Sequence, residues 1–201
     1  MVHLRVVPAF LCPSDSASGG GVFSLGDGAA CVHNSPDANP GAVRLARSNY
    51  LGMYGTLSLG GHEGEEEHHE HEDDHEHEDE HEHDHGDPFR SDGVFFANSR
   101  MPLSHIPDGL SKTIAVGERD SRMGGSVWAG MHQGVCEAMA RVVASGDHPP
   151  NGDPAERHFE DFSSRHGAGV NVVFCDGHVE FIADAIDASV YRSMCTRNGG
   201  D

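Results

Sequence analysis

The sequence predicts an α+β domain dominated by an antiparallel β-sheet, with long loops and one short C-terminal helix. Three observations carry this. Val170, Val172 and Phe174 alternate with Asn171, Val173 and Cys175, and after Asp176-Gly177 an alternation resumes with Val179 and Phe181, the period of half-buried strands. With 26 Gly and 10 Pro in 201 residues, short strands and turns are favoured over long helices. An amphipathic helical spacing closes the chain over a short stretch near the C-terminus, where Ile186, Val190 and Met194 recur at i, i+4 and i+8.

Taken in chain order, His3 to Leu11 reads as a short strand ended by the turn Cys12-Pro13-Ser14-Asp15, because Pro has no N–H to give a ladder. Ser16 to Pro40 is rich in Gly, Ser, Asn and Pro and reads as loop. Ser48 to Gly55 reads as extended, with Tyr50 and Tyr54 packed on the sheet. Ser91-Asp92-Gly93 is a turn leading into a strand at Val94-Phe95-Phe96, and the Asp108-Gly109 turn leads into a strand at Thr113 to Gly117. Glu118 and Arg119 form a candidate structural ion pair. Trp128, the single tryptophan, is expected as a core anchor in a strand. Cys136 to Val143 fits either a short helix or a further strand, and His148 to Arg157 is loop. Gly169 to Cys175 and His178 to Ile182 form a hairpin about Asp176-Gly177, since Gly takes positive φ freely and Asp tolerates it. A helix capped by Asp184 or Asp187 then runs to Cys195.

The formal charge of −20 is concentrated in one place. His62 to Asp87 holds 15 acids, nine His and two Gly with no apolar residue, leaving 18 acidic against 13 basic residues elsewhere. Such a stretch cannot bury enough surface to offset its ordering entropy, so 62–87 is expected as a disordered insert within a single domain spanning 1–201. Its histidines, His62, His68, His69, His71, His75, His77, His81, His83 and His85, interleaved with carboxylates, suit zinc, nickel or copper. H-E-x-x-H occurs at His71 to His75, His77 to His81 and His81 to His85, but no apolar face holds a helix there, so low complexity accounts for the match. An acidic chain without a basic stripe argues against nucleic acid. No apolar run approaches the roughly 18–20 residues that span a bilayer.

Cys12, Cys31, Cys136, Cys175 and Cys195 show no C-x-x-C spacing, which argues against a zinc ribbon or thioredoxin-like site. Cys175, inside an apolar strand, is expected as a small buried side chain. Ser163 or Ser164, His166 and Asp176 are the residue types of a hydrolytic triad. There is no G-x-S-x-G elbow, however, and a Ser two or three residues from its His rarely has the geometry. His166 is expected to hydrogen-bond within the loop entering the hairpin and Asp176 to shape its turn; no catalytic residue is assigned.

His166, nine intervening residues and Asp176-Gly177 resemble the C-terminal signature of a large bacterial family of prepilin-like proteins, a domain of unknown function related to type II secretion pseudopilins. Further matches stand in the family's order: Phe10 to Asp15, Ser48-Asn49-Tyr50 with Gly55, Ile106 to Thr113 with Gly117-Glu118-Arg119, and Tyr191 to Gly200. The resemblance implies a pseudopilin-like globular head that works in assembly, facing the periplasm or the cell exterior. Partners would be further copies or other pseudopilins, reached through an N-terminal helix that also makes the membrane contact; that helix does not precede Met1-Val2-His3 here. A periplasmic setting permits disulfides, with Cys12 to Cys31 the expected pair. By analogy with calcium-stabilised pseudopilins, Asp92, Asp108 and Glu118 are candidate calcium ligands, although their spacing fits no EF-hand. The alternative function is a metal-binding surface or periplasmic protein in which the sheet displays the 62–87 loop.

Overall fold

In the computed structural model, which describes residues 2–16, 20–25, 43–57, 59, 89–132, 137–153 and 157–200, strands β1 to β8 comprise Val22–Leu25, Val43–Ser48, Tyr50–Gly55, Ile114–Glu118, Ser126–Val127, Val143–Ser145, Gly169–Phe174 and Val179–Ala183. Helix α1 is Ala188–Cys195. Among the described residues the larger sheet has five strands in the order β6-β3-β4-β7-β8, antiparallel except for the parallel β3–β6 pair. A second, three-stranded sheet runs β1-β2-β5. This is the α+β class expected. The insert 62–87, with its nine histidines, lies outside the described residues, as do Cys31 and Cys136.

The hairpin forms as expected, but its turn is one residue longer. Phe174 N donates to His178 O at 2.9 Å and Val173 pairs with Val179, so Cys175, Asp176 and Gly177 make a three-residue loop with Gly177 at φ 91°. Because side chains alternate, that extra residue turns Val179 and Phe181 to the face opposite Val172 and Phe174. They are 64% and 46% exposed, and Ile182 alone of β8 enters the core.

That core joins Leu51 and Met53 of β3, Ile114 of β4, Ala144 of β6, Val170, Val172 and Phe174 of β7, Phe162, and Tyr191 and Cys195 of α1. Helix α1 takes Asp187, the second of the two expected caps, whose side chain accepts from Ser189 N and Val190 N. Its buried stripe is Tyr191 and Cys195, flanked by Ile186 and Met194, while Val190 points outward at 50% exposure.

Four further expectations are corrected. His3 to Leu11 is not a strand: Val2–Leu4 and Pro8–Phe10 are 3₁₀ turns, since Pro8 withholds an N–H and Leu11 N closes on Pro8 O. The Gly-rich stretch from Ser16 contains β1, because Phe23 packs with Leu45 and Val127. Val94 and Phe95 form no strand, since both donate to the one carbonyl of Met53. Trp128 is half-buried rather than a core anchor; its indole donates to Arg5 O at 3.1 Å and its ring tilts against Phe10. Glu137 to Val142 is a turn that runs into β6, which settles the helix-or-strand alternative there.

A single residue, Asn49, separates β2 from β3 and so forms the corner between the two sheets. It is buried, its N donates to Phe10 O and its O accepts from Arg119 N, both at 2.8 Å.

Candidate metal centre

Around that corner the fold gathers residues from three distant parts of the chain. The turn at Cys12, closed by Asp15 N to Cys12 O at 3.0 Å, presents the thiol inward, and Cys12 N donates to Asn49 Oδ1 at 3.0 Å. Glu118, at the end of β4, is buried; its Oε2 accepts from Asn171 N at 2.7 Å and Asn171 Nδ2 at 3.2 Å, leaving Oε1 directed away from β7. His166 lies in the loop entering β7, where its N donates to Ser164 Oγ at 3.0 Å. Its Nε2 is 3.5 Å from Cys12 Sγ and 3.2 Å from Glu118 Oε1, and all three ligand atoms fall within 4.8 Å of one another. The imidazole side chain is 27% exposed and is the side of the cluster open to solvent.

The wiring discriminates between two chemistries. A thiol–imidazole–carboxylate relay needs the thiol on one ring nitrogen and the acid on the other. Here both face Nε2. With metal–sulfur, metal–nitrogen and metal–oxygen bonds of about 2.3, 2.05 and 2.0–2.1 Å, a tetrahedral zinc would set its S–N and N–O ligand edges near ~3.6 and ~3.3–3.4 Å. The observed 3.5 and 3.2 Å are within about 0.2 Å of those edges. Asn171 supplies the outer hydrogen bonds that orient a ligating carboxylate.

Asp15 braces the same corner. Its carboxylate accepts from Asn49 Nδ2 at 2.7 Å, Ser121 N at 2.8 Å, Ser121 Oγ at 2.7 Å and Arg165 Nε at 2.9 Å. Burial alone would raise its pKa, but these donors outweigh it and hold the carboxyl below its ordinary 3.8. A lowered folded-state value means that ionised Asp15 contributes its full stabilisation above pH 3.8 and loses it as pH falls through the lower folded value. The denaturation midpoints of the native chain and of Asp15→Asn are therefore expected to differ by a constant amount from about pH 6 to about pH 4 and to converge below that. A gap that persists unchanged to about pH 2 would contradict this assignment.

The expected site residues separate as follows. Glu118 and Arg119 do not pair, because successive strand residues point to opposite faces. Glu118 faces His166 and Asn171, while Arg119 is buried, donating through Nε to Asp161 O at 3.2 Å and standing 4.9 Å over Phe159. Burial lowers the Arg119 pKa to about 9, against the opposing pull of Glu160 and Asp161. The three calcium candidates have separate partners: Asp92 accepts from Thr56 N and Oγ1, Asp108 from Gly199 N and Gly200 N, and Glu118 from His166 and Asn171. The triad types are not assembled either. Ser163 Oγ accepts from Asp120 N, Ser164 Oγ donates to Gly169 O, and Asp176, exposed in the hairpin loop beside Gly177, binds His178 Nδ1 at 2.6 Å instead of His166. Cys12 carries a free thiol, and its expected partner Cys31 lies outside the described residues; Cys175 is half-buried with a free thiol.

The class defined is thus a small α+β domain built on two sheets, with a partly buried Cys–Glu–His cluster where they meet. Residues 1–189 match the model of the family described as Protein of unknown function (DUF1559), and the chain belongs to that family. No curated protein and no solved structure matches it significantly. Among the described residues no helix is long and apolar enough to cross a membrane.

Proposed function

We propose that this chain is the head of a pilin-like subunit of the type II secretion kind, acting by assembly on the periplasmic or outer side of the inner membrane. Family membership over 1–189, together with the resemblance of the chain's motifs to prepilin-like proteins, carries the reading. It gains support from β8, an edge strand among the described residues, whose Val179 and Phe181 are exposed there, as an assembly contact would require. The test is mass spectrometry of the native N-terminus from membrane and soluble fractions. An N-methylated residue heading an apolar helix, found in the membrane fraction, is the expected result; a soluble native chain starting at Met1 would overturn the reading.

A second reading, a metal-binding protein, is favoured by the Cys12, Glu118 and His166 geometry. In it the ion fastens the N-terminal turn to the end of β4 and the hairpin entry, so binding is coupled to folding. Zinc at about 100 times its dissociation constant should add roughly 2.7 kcal/mol to the unfolding free energy. Cys12→Ser and His166→Ala should lose this gain in chemical denaturation while zinc held by 62–87 remains. Equal stabilisation of the native chain and both variants would rule the site out.

A further inference from the structure

We infer that His148, His158 and Asp161 form a second site for a divalent transition-metal ion, independent of the Cys12 cluster and of the 62–87 histidines. His148 lies in the loop that follows β6, and His158 and Asp161 in the segment leading towards β7. Asp161 is buried, yet among the described residues its Oδ1 has no hydrogen-bond partner, and neither does the buried Nδ1 of His148, which faces it at 3.5 Å. Two buried polar atoms left unpaired against each other each carry a desolvation cost that a shared ligand would remove.

The surroundings aim these atoms at one point. Asp161 Oδ2 accepts from His158 N at 2.8 Å, which fixes the carboxylate and leaves only Oδ1 facing the histidines. The His148 and His158 rings stand edge to face with centroids 4.7 Å apart, and one ligand atom from each of the three residues falls within 4.8 Å of the others. On the far side of His148, Nε2 lies 3.8 Å from the Asp147 carboxylate, where a metal-ligating histidine commonly has an acidic neighbour. Arg192 donates to Asp147 O at 2.7 Å and pairs with its carboxylate at 2.9 Å, so α1 holds the same loop.

Chemistry and geometry select the ion. Two imidazoles and one carboxylate suit zinc, cobalt or nickel, whereas calcium and magnesium take all-oxygen shells. A tetrahedral ion at about 2.05 Å from nitrogen and 2.0–2.2 Å from oxygen sets that edge at ~3.3–3.5 Å, while octahedral 90° geometry sets it near ~2.9 Å. The observed 3.5 Å favours a tetrahedral, zinc-like site, with His158 on the exposed side and the fourth position left to water.

The test is cobalt titration of the isotope-labelled full chain, followed by amide NMR with zinc as the diamagnetic control. It is run in the native chain and again in His166→Ala, which removes the Cys12 cluster. Amides of Asp147, His148 and His158 to Phe162 are expected to shift and broaden in both. In His158→Ala, whose ring is exposed, and in the isosteric Asp161→Asn, the cobalt concentration needed should rise more than tenfold. If these amides stay sharp while other segments respond, no ion binds between His148 and Asp161 and the proposal fails. Unchanged titration of His158→Ala and Asp161→Asn would overturn it equally.

Discussion

Asn49→Ala is expected to destabilise the protein by about 4 kcal/mol, a large part of the ~5–15 kcal/mol that holds a domain of this size together. The side chain is buried, and truncation strands two groups and weakens a third: Cys12 N loses its acceptor, Arg119 O loses the donor at 2.9 Å, and Asp15 Oδ2 loses the donor at 2.7 Å and keeps only Ser121 N. Each unsatisfied buried group costs on the order of 1–3 kcal/mol, more for a carboxylate. Asn49→Asp separates hydrogen bonding from packing, because it keeps the volume and the Cys12 bond but places a second carboxylate against Asp15. If polarity rather than volume holds the corner, Asn49→Asp should unfold at a denaturant midpoint no higher than Asn49→Ala. A midpoint close to the native one for either variant would show that the two sheets are joined by packing alone. Asn49→Ala should also weaken zinc stabilisation through Cys12, since the thiol's position depends on the Asn49 bond to its backbone.

What the sequence makes legible here follows from the range of the forces involved. The β7–β8 hairpin, β4 and the capped helix depend on residues a few positions apart, so alternation, Asp-Gly and Asp187 report them directly. Errors arise where one residue of turn length decides parity: a three-residue loop instead of two turns Val179 and Phe181 outward. They arise again where a distant partner overrides local preference, as when Trp128 and Asn49 take up backbone carbonyls of the N-terminal segment. The candidate centre was partly visible, His166 through its motif and Glu118 as an acid near the sheet, but Cys12 pointed towards a disulfide. Its three ligands are 106 and 48 residues apart, so no spacing rule links them; only the fold brings them together. His148, His158 and Asp161 carry no pattern beyond residue type in a loop, and the unpaired atoms of His148 and Asp161 become apparent only in three dimensions.

Phe162→Ala is expected to cost about 3–5 kcal/mol, and its coupling to Gly117 shows why the strand beside the candidate centre has the sequence Gly-Glu. Phe162 is fully buried in the main cluster, and a Cβ added at Gly117 would stand 2.8 Å from the Phe162 ring. The ring therefore packs against β4 where a side chain is missing, and the adjoining Ser163 N donates to Glu118 O at 2.9 Å. Gly117→Ala alone forces the ring away from a close-packed position and should cost about 1–3 kcal/mol. In the double variant the added methyl enters space vacated by the ring, so the two losses should fall short of their sum by about 1–2 kcal/mol in a denaturation cycle. Strict additivity would mean that Phe162 does not rest on Gly117. The same displacement predicts a functional readout: because Glu118 follows Gly117 and is bonded through Ser163, Gly117→Ala should lower zinc stabilisation even in preparations that remain folded. A core change such as Ile182→Val, on β8 and separated from β4 in the sheet by β7, should leave that stabilisation unaltered, so the pair distinguishes a loss transmitted along β4 from a general loosening of the fold.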